Sequence, residues 1–100
     1  NDKQFAKSIA NINYTYKFFI KNKILEKSEH IENINKLEHW IGISKSDPTL
    51  CKQEIAFALI QMVEDGINIL LKMKYETLIP KLEKQKKYLQ KIILQPGSIL

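Results

Sequence analysis

The sequence predicts an all-α protein, an antiparallel bundle of three or four helices with a long central third helix. Three observations lead there. No Gly or Pro occurs before Gly42, whereas a β protein needs turn residues every ~8–12 positions. Phe5, Ile9, Ile12, Tyr16 and Phe19 recur at spacings of 4, 3, 4 and 3, which places them on one face of a helix. Beyond Pro48, two apolar stripes stay in phase for some eight turns of helix, straight across Gly66.

The first segment, residues 3–41, is either one long helix or two that meet near Ser28. A competing alternation of Ile12, Tyr14, Tyr16, Phe18 and Ile20 has the period of a strand. The longer helical pattern from Phe5 and the lack of turn residues outweigh it. The apolar face resumes at Ile31, Ile34, Leu37 and Ile41, after a polar interruption at Lys23, Lys27 and His30. Ser28, followed by Glu29 and Glu32, reads as an N-cap with acids in the first turn. A break is favoured there, because helices average ~11–12 residues. Gly42 fits the position just past a helix end, where a left-handed residue is cheap only without a Cβ.

Residues 43–47 read as a loop, and Asp47-Pro48 as an N-cap with Pro at the first helical position. The third helix then runs from 48 to about 78. Cys51, Ile55, Ala58, Leu59, Met62, Ile69, Leu70 and Met73 form one stripe; Phe57, Ile60, Ile67, Leu71, Tyr75 and Leu78 form the other. A helix apolar on two sides is expected to lie between neighbours, with Gly66 as a point of close approach. Pro80 interrupts the chain, and Leu78, Leu82, Leu89, Ile92 and Ile93 give the apolar face of a last helix over about 80–94, stopped by Gln95-Pro96-Gly97-Ser98. The expected core includes Ile9, Ile12, Phe19, Ile34, Leu59, Met62, Ile69 and Leu89.

One hundred residues make a single helical domain, 1–100, at most. A start at Asn1 fits a processed protein or a domain cut from a longer one. Ile, Lys and Asn supply 39 residues, a bias expected of an AT-rich genome. The lone Cys51 excludes an intrachain disulfide and favours a cytoplasmic location. No apolar run approaches the ~18 residues of a membrane-spanning helix.

Signatures of catalysis and cofactors are missing, so no enzyme, cofactor or metal is expected. The glycines at 42, 66 and 97 form neither a dinucleotide fingerprint nor a phosphate loop. Lys27 and Lys36 stand three before His30 and His39, where a di-iron bundle would carry Glu. The two histidines lie nine apart, on opposite sides of any one helix. Glu26 and His30 read as a surface pair, Cys51 as a small residue of the buried stripe, and Trp40 as a core or hinge anchor.

Two surface features stand out. Tyr14, Phe18 and Leu25 follow one another at helical spacing, roughly 180° from Phe5, Ile9 and Tyr16. Aligned aromatic and aliphatic side chains of this kind match the composition of interface cores. The second feature is charge. The net charge is +5 with 16 basic residues, all Lys, and residues 72–100 alone carry seven Lys against Glu76 and Glu83. Lys84, Lys87 and Lys91 share a side of the last helix, flanked by Lys81 and Lys86. The expected function is therefore a non-catalytic protein–protein interaction or adaptor domain, whose partner is another protein chain or a second copy as a homodimer. The alternative is a nucleic-acid- or anionic-membrane-binding bundle that uses the C-terminal lysine face. Nucleic acid is less favoured, since Lys lacks the planar fork of Arg. The membrane is less favoured because no Trp or Phe opposes those lysines.

Overall fold

A computed structural model of the chain describes residues 2–24, 27–47 and 49–95, with the side chains of 2 and 27–29 excepted. Four helices follow one another: α1 (Asp2–Lys21), α2 (Lys27–Ser46), α3 (Lys52–Lys72) and α4 (Ile79–Ile93). Among the described residues there is no strand, and no helix is long and apolar enough to cross a membrane. The contacts divide the chain into two units, Asn1–Leu50 and Cys51–Leu100, each built on a helical hairpin.

In the first hairpin the start of α1 lies beside the end of α2, and Lys17 meets Glu38 at 3.2 Å. The α1 face read from its spacing is buried in full: Phe5, Ile9, Ile12, Tyr16 and Phe19. Leu37 is buried with them, while Ile34 is only half-buried. The surface ion pair itself contributes little, ~0–1 kcal/mol.

α1 stops at a Schellman motif. Lys23 takes the left-handed region at φ 54°. The Ile24 N–H donates to the Phe19 carbonyl at 3.0 Å, and the Lys23 N–H to that of Ile20 at 3.2 Å. These bonds satisfy carbonyls that every helix end leaves open. They also separate α1 from α2, so residues 3–41 form two helices. α2 begins at Lys27, one residue ahead of the expected Ser28 cap, and the Ser28 side chain lies outside the described residues.

Gly42 does not end α2. The helix runs on through it to Ser46, and a Cβ placed on Gly42 would meet open space. Asp47 does not cap α3 either. Its Oδ1 accepts from the Thr49 N–H at 2.9 Å and from Thr49 Oγ1 at 2.7 Å, a local Asx-type turn that competes with capping. The N-cap of α3 is instead Cys51, with extended backbone and no side-chain cap bond.

α3 is shorter than its apolar stripes predict. It ends at Lys72 with the same device as α1. Lys74 is left-handed at φ 59°, the Tyr75 N–H donates to the Leu70 carbonyl at 2.9 Å, and the Lys74 N–H to that of Leu71 at 3.1 Å. At 21 residues it matches the 20 of α1 and of α2. Its buried face is single: Ile55, Ala56, Leu59, Met62, Val63, Gly66 and Leu70. α4 carries Pro80 in its first turn, as expected, and buries Leu82, Gln85, Leu89 and Ile92. The Gln53 side-chain amide donates to the Ile92 carbonyl at 3.2 Å, and Lys86 pairs with Glu64 at 3.0 Å. The first contact joins the start of α3 to the end of α4, and the second joins the middles of the two helices.

Candidate functional site

α1 places its side chains on two unequal arcs. The wide arc is buried and takes in Ser8, Asn13 and Thr15 besides the apolar face. The narrow arc holds Lys3, Lys7, Ala10, Tyr14, Lys17 and Lys21, all exposed. Tyr14 stands out there at 56% exposure. Phe18 flanks this arc but is half-buried, its ring 6.3 Å from that of Phe19. Leu25, the third member of the expected patch, lies outside the described residues. The structure thus separates Tyr14 from Phe18 by degree of burial.

His30 is not on the surface. It is buried at 2% exposure, its ring 5.6 Å from Tyr16 and 5.4 Å from Phe19. Tyr16 and Phe19 meet edge to face at 5.3 Å, the arrangement that aromatic quadrupoles favour. His30 therefore belongs to the aromatic core of the first hairpin. Its Glu26 neighbour lies outside the described residues. Spacing alone offers the signal that was missed: His30 is followed at +4 and +7 by Ile34 and Leu37, on the apolar face of α2.

Where the first turns of α1 meet the last turns of α2, a groove of about 560 Å³ opens. Lys3, Ala6, Lys7 and Ala10 form one wall, and Ile41 and Lys45 the other. Small side chains at Ala6 and Ala10 leave the space, and the lysines stand along its rim. The sequence signal for this site is the charge of α1: Lys3, Lys7, Lys17 and Lys21 against Asp2 alone. Summing charge over the first fifty residues conceals it, because the other five acids of that half fall after residue 25.

In the second hairpin, Lys81, Lys84, Lys87 and Lys91 are exposed, opposite buried Leu82 and Leu89. Lys86 is half-buried and engaged by Glu64. Phe57, Leu71 and Tyr75 are exposed at 61%, 54% and 40%, against the expectation that both stripes of α3 would be covered. Trp40 and Ile69 are half-buried. Cys51 is exposed as a free thiol rather than buried in a stripe, with Sγ 3.9 Å from Gln53 Oε1. Among the described residues no three His, Cys, Asp or Glu side chains gather as metal ligands would.

No family model matches the sequence, and neither the curated proteins nor the solved structures compared with it gave a match.

Proposed function

We propose that the protein is a non-catalytic helical interaction module that docks another protein chain through the outer arc of α1, with Tyr14, Phe18 and Leu25 in the contact. The observation that carries this reading is Tyr14, a large aromatic more than half exposed on an arc that otherwise holds four lysines and Ala10. Aromatic anchors ringed by polar side chains dominate binding energy at protein interfaces.

Tyr14→Asp tests the reading. Tyr14 is exposed, so the variant should keep the wild-type thermal transition. Self-association in sedimentation velocity across concentration, and capture of a purified partner, should both fall. Phe18→Asp would mix lost contact with a charge forced into a half-buried site. A Tyr14→Asp protein that associates as the wild type does would overturn the proposal.

A further inference from the structure

The groove at the open end of the first hairpin has a shape and a charge that together specify an occupant. Its floor is apolar: Ala6 is buried, Ile41 half-buried, and Ala10 exposed. Small residues at i and i+4 let a neighbouring helix approach closely and seat its ridge between two others. Lys7 on one wall and Lys45 on the other put positive charge on both sides of that seat, with Lys3 at its end. Ala10 lies one turn before Tyr14 on the same arc, so Tyr14 stands one turn beyond the groove on the contact face.

From this we propose that the groove receives an acidic amphipathic helix of another protein. Its apolar ridge lies over Ala6, Ala10 and Ile41, its carboxylates face Lys7 and Lys45, and its far end reaches Tyr14. This inference rests on the interaction reading above and names the chemistry of the partner. A second copy of this chain fits poorly, because a two-fold contact through the groove would set lysine against lysine. A flat bilayer cannot fill a concavity of about 560 Å³ between two helices. Nucleic acid would be held by the charges but would leave the apolar floor uncovered.

The experiment uses the full chain and two labelled synthetic helices. One carries Leu on a heptad seam with Glu on its outer positions; the other has Lys in place of every Glu. Fluorescence anisotropy should show the acidic peptide binding and the lysine peptide failing, with affinity dropping as salt rises. The double variant Lys7→Glu/Lys45→Glu should weaken the acidic peptide by about tenfold or more and begin to accept the lysine peptide. Ala10→Phe, which fills the seat without altering charge, should weaken it too. Equal binding of both peptides, or an acidic peptide indifferent to both variants, would overturn the inference. So would stronger binding to phosphatidylglycerol vesicles or to single-stranded RNA than to the acidic peptide. If the acidic peptide fails while Tyr14→Asp still abolishes association, the interaction reading stands and the groove assignment falls. If Tyr14→Asp leaves association intact while the acidic peptide binds as described, the reverse holds.

Discussion

α1 and α3 are nearly equal in length and stop in the same way, yet α1 buries three of its five aromatics while α3 leaves its one, Phe57, exposed. Phe5, Tyr16 and Phe19 are buried in the first hairpin, and Phe57 and Tyr75 stand outside the second. The cause is phase. In α1, Phe5, Tyr16 and Phe19 fall in step with Ile9 and Ile12, and Tyr14 does not. In α3, Phe57 follows Ile55 by two residues, about 200° around the helix, so the two cannot face one neighbour. Aliphatic side chains and Met62 fill the α3 core while the Phe57 ring is left out. An apolar count therefore says little about burial; the phase of each residue against the best-packed stripe decides it.

The comparison breaks most sharply in the cores. Phe19→Ala should destabilise by about 3–5 kcal/mol, and Leu59→Ala by about 2–5 kcal/mol. Phe19 should cost more, because its ring also meets Tyr16, Phe18 and His30. Denaturant titration ranks the two, and amide hydrogen exchange should show protection falling first in the hairpin that carries the change. A larger loss at Leu59 would mean that aliphatic packing, not the ring cluster, is the stronger core.

The shared helix stop offers a smaller and opposite effect. A lysine in the left-handed region carries a strain of roughly 1–2 kcal/mol that glycine avoids. Lys23→Gly and Lys74→Gly should each stabilise, by about 0.5–1 kcal/mol once the added freedom of the unfolded chain is subtracted. Thermal melts of the single variants and the pair measure this. Unequal gains would show that one stop is held by more than its two backbone bonds.

The smallest effect lies at the junction of the two halves of the sequence. Hydrogen bonds from the Thr49 hydroxyl and then from its N–H hold the Asp47 carboxyl below its ordinary value. A lowered folded pKa favours the folded state once the pH is above the unfolded value of ~3.9, and that contribution fades as the pH falls through the lower one. Asp47 is fully exposed, so the shift should be visible by NMR titration with little change in the melting curve. Thr49→Val should return the carboxyl toward its usual range.

Much of the helical architecture is legible in the residues, and the misses share a cause. The buried face of α1, the break before α2 and the start of α4 after Leu78 follow from period and from Pro80. The helix ends do not. Both Schellman stops use lysine where glycine is the expected residue, while Gly42, expected to end α2, sits within it. Asp47 spends its carboxylate on Thr49 rather than on a cap. The exposed lysines of the last helix can be read from spacing. The groove cannot, because it depends on which turns of α2 come to rest beside Ala6 and Ala10.

Closure within each half has a kinetic consequence. Gln53 and Ile92, which tie the start of α3 to the end of α4, are 39 residues apart, and Lys17 and Glu38 are closer still in sequence. Short loops cost little entropy to close, and chains rich in local contacts reach the native state within microseconds to milliseconds. Synthesis adds only ~5–20 residues each second. The pairing of α1 with α2 can thus be complete before α3 and α4 leave the ribosome, which shields the aromatic cluster while the rest of the chain emerges.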